Sequence, residues 1–200
     1  EATAVQRSGR ITHGCLGLYS DSNEVALGKV VAACRKLGSA KLGIQIGHAG
    51  RKASAKRPWE GKSLQDPLSA DTWVTKAASA LPNGPGWHIP EAMTVADIEK
   101  LKADFVSAAQ RSDRLGFDLL ELHGAHGYLL HTFLSPISNK RTDHYGGSRE
   151  NRMRLPLEIL ADVRKVWPES KLLGIRISAI DWMDGGLTMD DSVAFARELQ

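Results

Sequence analysis

The run Phe117-Asp-Leu-Leu-Glu-Leu-His-Gly-Ala-His-Gly-Tyr128 decides how the chain is read. Phe117 to Leu122 is a short apolar stretch behind Gly116, too brief for a stable helix, and it predicts a strand. Directly after it, two imidazoles and a phenol leave one short loop. Lys41-Leu-Gly-Ile-Gln-Ile46 and Lys171-Leu-Leu-Gly-Ile-Arg-Ile177 share that character and predict two more strands, buried on both faces.

Helical spacing separates these strands. Asp21 opens a helix with Leu27, Val30, Val31, Cys34 and Leu37 on one face and Gly38 as its stop. Thr94-Val-Ala-Asp97 has capping-box spacing ahead of an apolar stripe of Ile98, Leu101, Phe105, Ala108, Ala109 and Leu115, closed by Gly116. Met153, Leu157, Leu160 and Val163 mark a third helix running to about Trp167, in which Pro156 predicts a modest kink or a delayed start. Thr188 to Asp191 caps a last helix that is expected to run into the chain end at Gln200.

This alternation predicts an α/β protein with parallel strands, each helix returning the chain to the same edge of the sheet. A doubly wound dinucleotide-binding sheet would carry G-x-G-x-x-G after its first strand, and no such run occurs. Instead, polar residues gather where strands end: Gln45 and His48, His123 and His126, Arg176 and Asp181. In a (β/α)8 TIM barrel those ends form the face that holds the active site. Barrels take about 250 residues. Three strands and a strand end at Ala2 to Val5 therefore predict about the middle half of one, with residues 1–200 as a single partial barrel domain. The start at Glu1 rather than Met, and the end inside an element, predict a fragment; alone, it would expose parallel edges and aggregate, assemble or stay partly unfolded.

Residues 47–93 break the rhythm, with no sustained period and far more length than the usual connection of about 4–6 residues. Pro58, Pro67, Pro82, Pro85 and Pro90 with Trp59, Trp73 and Trp87 suit a packed excursion over the barrel mouth, either a lid or an insertion decorating the rim.

Composition narrows the partners. At 42% apolar and 24% charged residues the chain is globular, and no apolar run approaches the roughly 20 residues that cross a bilayer. A net charge of +3 implies neither nucleic acid nor an anionic membrane as partner. Cys15 and Cys34 form no CxxC and are too few to staple a secreted fold, which favours a reducing, cytoplasmic setting.

Neutral imidazole N–H groups at His123 and His126 can hold a carbonyl oxygen as negative charge develops on it, and Tyr128 beside them can deliver a proton. The competing reading is a metal-dependent barrel hydrolase with both histidines as ligands and Asp143 or His144 as a third, although no H-E-x-x-H occurs. The structural alternative has His123 capping a strand end and His126 satisfied by backbone. Gln45 and Arg176 sit on strands, where a packed barrel prefers apolar side chains. A bound cofactor would explain both: the amide reads a ring edge, and the guanidinium meets negative charge that accumulates on reduction. For Arg176 a salt bridge to Glu121 or Asp181 is the alternative. The basic stretch Ser138 to Ser148, with Arg149, Arg152 and Arg154, is broken by Asp143 and Glu150 and reads as a structural loop feeding a helix.

The run from Phe117 through Ser148, followed by Glu150-Asn-Arg152, resembles the Old Yellow Enzyme family of flavin-dependent ene-reductases. Gly43-Ile-Gln-Ile-Gly-His-Ala-Gly-Arg-Lys52, Gly9-Arg-Ile-Thr12 and Gly17-Leu-Tyr-Ser-Asp21 resemble its bacterial NADPH dehydrogenase and xenobiotic reductase branch. The resemblance implies a TIM barrel holding FMN at the strand C-terminal face, reduced by NADPH, with hydride passing to the β-carbon of an α,β-unsaturated carbonyl compound. It further implies cofactor contacts from Ala2, Gln45 and Arg176, carbonyl binding by His123 and His126, and proton delivery to the α-carbon by Tyr128. Dienoyl-CoA reductases look similar but generally lack the second histidine, so His126 favours the simple ene-reductase. The resemblance places the first strand, with its flavin-tuning cysteine, and the last three strands, with the phosphate site, outside this chain, so neither Cys15 nor Cys34 takes that cysteine's role. The whole protein is expected to be a homo-oligomer, with an inactive barrel fragment as the alternative reading of this chain alone.

Overall fold

A computed structural model describes residues 2–63 and 65–199. In chain order the elements are β1 (Thr3–Ala4), α1 (Asp21–Leu37), β2 (Gly43–Gly47), β3 (Lys76–Ala77), β4 (Glu91–Ala92), α2 (Val95–Arg114), β5 (Leu119–Gly124), α3 (Leu129–Leu134), α4 (Arg149–Val166), β6 (Leu172–Ile177) and α5 (Met189–Arg197). The main sheet has the order β1-β2-β5-β6, parallel throughout, so spatial order follows chain order. A doubly wound sheet reverses at a switch point. Successive parallel strands joined through α1, α2 and α4 are instead consecutive units of a (β/α)8 barrel.

Side chains alternate along each strand, and the two faces of this sheet have opposite chemistry. On one face Ile44, Ile46, Leu120 and Leu122 are buried against Ile98, Leu101, Phe105, Ala108 and Ala109 of α2 and Leu155, Ile159 and Val163 of α4. Burying each Leu, Ile or Phe stabilises the fold by about 2 kcal/mol, so this layer is the main adhesive between sheet and helices. The other face carries Gln45 opposite Glu121 and His123 opposite Arg176. The expectation of strands buried on both faces holds for β2, where Ile44, Gln45, Ile46 and Gly47 are all buried, and fails at β6, where Leu172 is 70% exposed. β6 is the outer strand of the four, and helices cover only its apolar side.

The α2 capping box forms as the sequence predicts: Thr94 Oγ1 accepts from the Asp97 amide and the Asp97 carboxylate accepts from the Thr94 amide. α5 has the same box at Thr188 and Asp191. Three other expectations change. In α1 only Leu27 and Val31 are buried, while Leu37 is 86% exposed. Ion pairs of Glu24 with Arg111 and Arg114, and of Arg35 with Asp118, tie it down instead. Pro156 does not delay α4, which starts at Arg149 and runs unbroken to Val166. The Ser148 cap and the Arg152 bonds to Leu134 O and Gly147 O fix its first turns ahead of the proline. α5 closes at Arg197 with the Glu198 amide bonded back to Ala194 O, rather than running off the chain. Glu1 and Gln200 lie outside the described residues.

The excursion is packed, not slack. Ala53, Ser54, Ala55, Ala77 and Ala78 are buried within it, and its β3 and β4 pair in parallel. Trp73 donates its indole N–H to Ser8 O at 2.8 Å, while Trp59 remains 79% exposed.

Candidate active site

β5 runs two residues further than its apolar stretch predicts, so His123 stands on the strand itself, with His126 and Tyr128 in the loop after it. His126 and Gly127 both take left-handed backbone conformations, with φ of 59° and 73°. A non-glycine residue adopts that region at a cost and needs outside support. Ser178 Oγ accepts the His126 amide at 2.9 Å, Lys52 Nζ donates to His126 O at 2.8 Å, and His131 Nδ1 accepts the Gly127 amide at 2.8 Å. Residues from β2's following turn, from the end of β6 and from α3 thus hold this loop.

Hydrogen bonds assign the imidazole protons. His123 Nδ1 accepts from the Ala125 amide at 3.2 Å, which puts the proton on Nε2. That N–H faces His126 Nδ1 at 3.2 Å and donates to it, so His126 carries its own proton on Nε2. Burial, reinforced by His126 and Arg176, lowers the His123 pKa to about 4, and the ring is neutral at pH 7. The Tyr128 ring meets the His123 ring edge-on at 4.8 Å, and Lys52 Nζ lies 5.8 Å from the phenol centroid. Burial raises the Tyr128 pKa, while a hydrogen bond donated by Gln65 Nε2 to the phenol oxygen at 3.1 Å acts the other way.

Gln45 accepts the Ala2 amide at 3.1 Å through Oε1 and donates through Nε2 to Glu121. This brings three predicted positions, Ala2, Gln45 and the β5 face, to one end of the sheet. Arg176 is exposed on the same face, paired in register with His123, and its alternative salt bridges do not form. Glu121 takes the Gln45 amide, and Asp181 takes His131 Nε2 at 2.8 Å together with Ser135 Oγ and the Leu187 amide. Burial alone would raise the Asp181 pKa, but those three donors prevail and hold it at about 2.

The metal-site alternative finds no third ligand. Asp143 is forked by Arg141, His144 bonds through its carbonyl to Arg154, and no group of three His, Cys, Asp or Glu among the described residues could hold a metal ion. The basic stretch is structural: Arg141 reaches Ala78 O and Met93 O, and Asn139 bridges Phe133 O and Tyr145 O. Sequence reasoning passed over Lys52, Gln65, His131 and Ser178. Lys52 and His131 lie inside recognisable motifs, whereas nothing local to Gln65 marks it.

A half barrel whose strand ends gather a histidine pair, a tyrosine, a glutamine and an arginine belongs to the class of barrel oxidoreductases. The NADH:flavin oxidoreductase / NADH oxidase family model matches residues 1–200, and the chain belongs to that family. It is 46% identical over 187 residues to NADH:flavin oxidoreductase FG08077 of Gibberella zeae, covering 92% of this chain and 45% of that protein. It is 42% identical over all 200 residues to the NADPH dehydrogenase of a Geobacillus strain, covering 53% of it. The chain thus spans about half the length of the curated relatives it matches. Among solved structures, morphinone reductase in complex with tetrahydroNAD aligns with a TM-score of 0.79 at 30% identity, over 100% of this chain and 55% of that one. The Old Yellow Enzyme homologue from Zymomonas mobilis aligns with a TM-score of 0.80 at 25% identity, over 100% of this chain and 55% of that one. No helix among the described residues is long and apolar enough to cross a membrane.

Proposed function

We propose that the protein carrying this chain is an FMN-dependent, NADPH-consuming ene-reductase acting on α,β-unsaturated carbonyl compounds. The observation that carries this reading is the neutral His123 bonded to His126 and set beside the half-buried Tyr128 phenol at the strand C-terminal face.

The open face of the sheet suits a flavin edge. The exposed guanidinium of Arg176 makes no ion pair there among the described residues, the Gln45 amide keeps one N–H and one oxygen lone pair beyond its bonds to Glu121 and Ala2, and Gly174 leaves open space above β6. Gln45, Arg176 and the Ala2 backbone would hold the pyrimidine edge of FMN, with Arg176 opposing the negative charge that reduction brings. When bound, FMN supplies the hydride, drawn from NADPH, that adds to the alkene β-carbon. His126 binds the substrate carbonyl through its Nε2–H, and His123, whose Nε2–H donates to His126 Nδ1, joins it by turning that N–H to the carbonyl, the two stabilising its developing negative charge. Because His123 stays neutral down to about pH 4, it acts as a hydrogen-bond donor rather than a cation throughout the neutral range. Tyr128 delivers the proton to the α-carbon. The excursion serves as a lid, since Gln65 and Lys52 reach Tyr128 and His126 from it.

The test is spectroscopic and kinetic. The full-length protein should show a flavin spectrum that bleaches with NADPH under nitrogen and returns on adding cyclohexenone; a colourless folded protein would overturn the proposal. Tyr128→Phe should slow reoxidation by the enone about 10²-fold or more while flavin reduction by NADPH stays near the parent rate. Unchanged reoxidation would remove Tyr128 as proton donor.

A further inference from the structure

We infer that Gln65, in the excursion, is a positioning residue that sets the proton-donating state of the Tyr128 phenol; the inference rests on Tyr128 being the proton donor. Gln65 is 63 positions from Tyr128 in the chain, yet its Nε2–H points at the phenol oxygen at 3.1 Å. The segment that carries it is pinned. Lys56 N–H donates to Asp66 O and Leu68 N–H to Ser54 O, each at 2.8 Å, and Ala55 pairs with Pro67 across an antiparallel bridge. The Asp66 carboxylate then accepts from the Lys62 amide and from the Ser63 amide and hydroxyl, closing the turn beside Gln65. The side chain therefore projects from a fixed base rather than from a loop tip.

An N–H aimed at the phenol oxygen does two things. It occupies an oxygen lone pair, so the phenol's own O–H turns away from Gln65 and is available to a substrate. It also stabilises the phenolate left behind, opposing the burial that raises the Tyr128 pKa. In the step itself, hydride addition at the β-carbon leaves an enolate. Its electron pair forms the new bond between the α-carbon and the proton, the O–H pair stays on the phenolate oxygen facing Gln65, and water restores the proton. The charged and titratable groups around the phenol are Lys52, His123, His126 and Cys15. Burial and Arg51 lower the Lys52 pKa, and its ammonium bonds to His126 O, not to the phenol. Gln65 is the side chain that hydrogen-bonds to the phenol oxygen among the described residues.

The experiment uses full-length flavoprotein with Gln65→Leu, Gln65→Glu, Tyr128→Phe and the double variant Gln65→Leu/Tyr128→Phe. Gln65→Leu should slow enone-driven reoxidation about three- to tenfold, leave reduction by NADPH unchanged, and raise the Tyr128 ionisation read as tyrosinate absorbance against the Tyr128→Phe background. Gln65→Glu should be slow at neutral pH, where its carboxylate accepts the phenol O–H hydrogen bond and turns that proton away from the substrate, and should recover as the pH falls and the acid regains a donor. A bystander at this position would give no such acid recovery. In the double variant the Leu substitution should add nothing to Tyr128→Phe. If Tyr128→Phe is itself silent, the proton-donor reading fails. If Tyr128→Phe is slow but Gln65→Leu has the parent rate and tyrosinate titration, or slows Tyr128→Phe further, the role of Gln65 is overturned.

Discussion

Replacing Asp181 with Asn removes one charge from a carboxylate that is only 9% exposed and gathers three donors. Its pKa of about 2 in the fold lies below the ordinary 3.8. That difference corresponds to about 2 kcal/mol of stability at pH 7. The sign follows from the depressed pKa: the contribution is present in full above the unfolded value and is lost as pH falls through the folded one. About half of it should be gone near pH 3. Asparagine also cannot satisfy the same donors. With its oxygen toward Ser135 and Leu187, its NH2 faces His131 Nε2–H, and turning the imidazole tautomer would set Nδ1–H against the Gly127 amide that it now accepts. The variant should therefore lower the urea midpoint of the full-length protein at pH 7 and weaken enone binding through the loosened loop at His126. Urea unfolding from pH 7 to pH 3 tests this directly. A parent-to-variant gap that is absent at pH 7, or that fails to narrow below pH 4, refutes the reasoning.

Two further outcomes follow from the same geometry. Gly47→Ala places a methyl carbon 2.9 Å from His123 Cβ, so the ring must move; steady-state kinetics should show kcat/KM for an enone falling about tenfold or more, and unchanged kinetics would show that the strand end yields freely. Thr94→Ala deletes the acceptor for the Asp97 amide and should destabilise α2 by about 1 kcal/mol, seen as a lower urea midpoint and faster amide exchange in its first turn, with catalysis unaffected.

Most of the fold was legible because patterns of period 3.6 and short apolar runs are local properties. The α2 stripe from Ile98 to Ala109 and its capping box are present as read, and so are the three strands and the end of a fourth. The misreadings arise where a pattern states capacity but not partners. Val30 and Leu37 have helical spacing but are exposed among the described residues, and the strand runs could not say which face would carry glycine and polar residues. Pro156 did not delay α4, whose first turns are fixed ahead of the proline by the Ser148 cap and by Arg152 bonds that reach back to Leu134 O. At the site, the histidine pair, Tyr128, Gln45 and Arg176 were legible from strand ends and family motifs. Gln65 was not, since its hydrogen bond to Tyr128 joins residues 63 positions apart.

The glycines of the two site motifs gain a chemical meaning from the imidazoles next to them. His48 Nδ1 accepts from the Gly50 amide at 3.0 Å, and His131 Nδ1 accepts from the Gly127 amide at 2.8 Å. Both glycines have left-handed backbones, with φ of 61° and 73°. At Gly50 a Cβ would meet the Leu129 backbone at 2.9 Å, so the turn that presents this amide excludes any side chain. Together with the Ala125 amide on His123, these bonds give three rings the same tautomer, with the proton on Nε2. Each Nε2–H then meets an acceptor: Gln6 for His48, His126 for His123, and Asp181 for His131. A backbone amide cannot accept a proton and does not titrate, so it fixes the tautomer without adding charge that would favour the imidazolium. Burial and backbone geometry thus keep His123 a neutral donor to His126 beside the Tyr128 phenol.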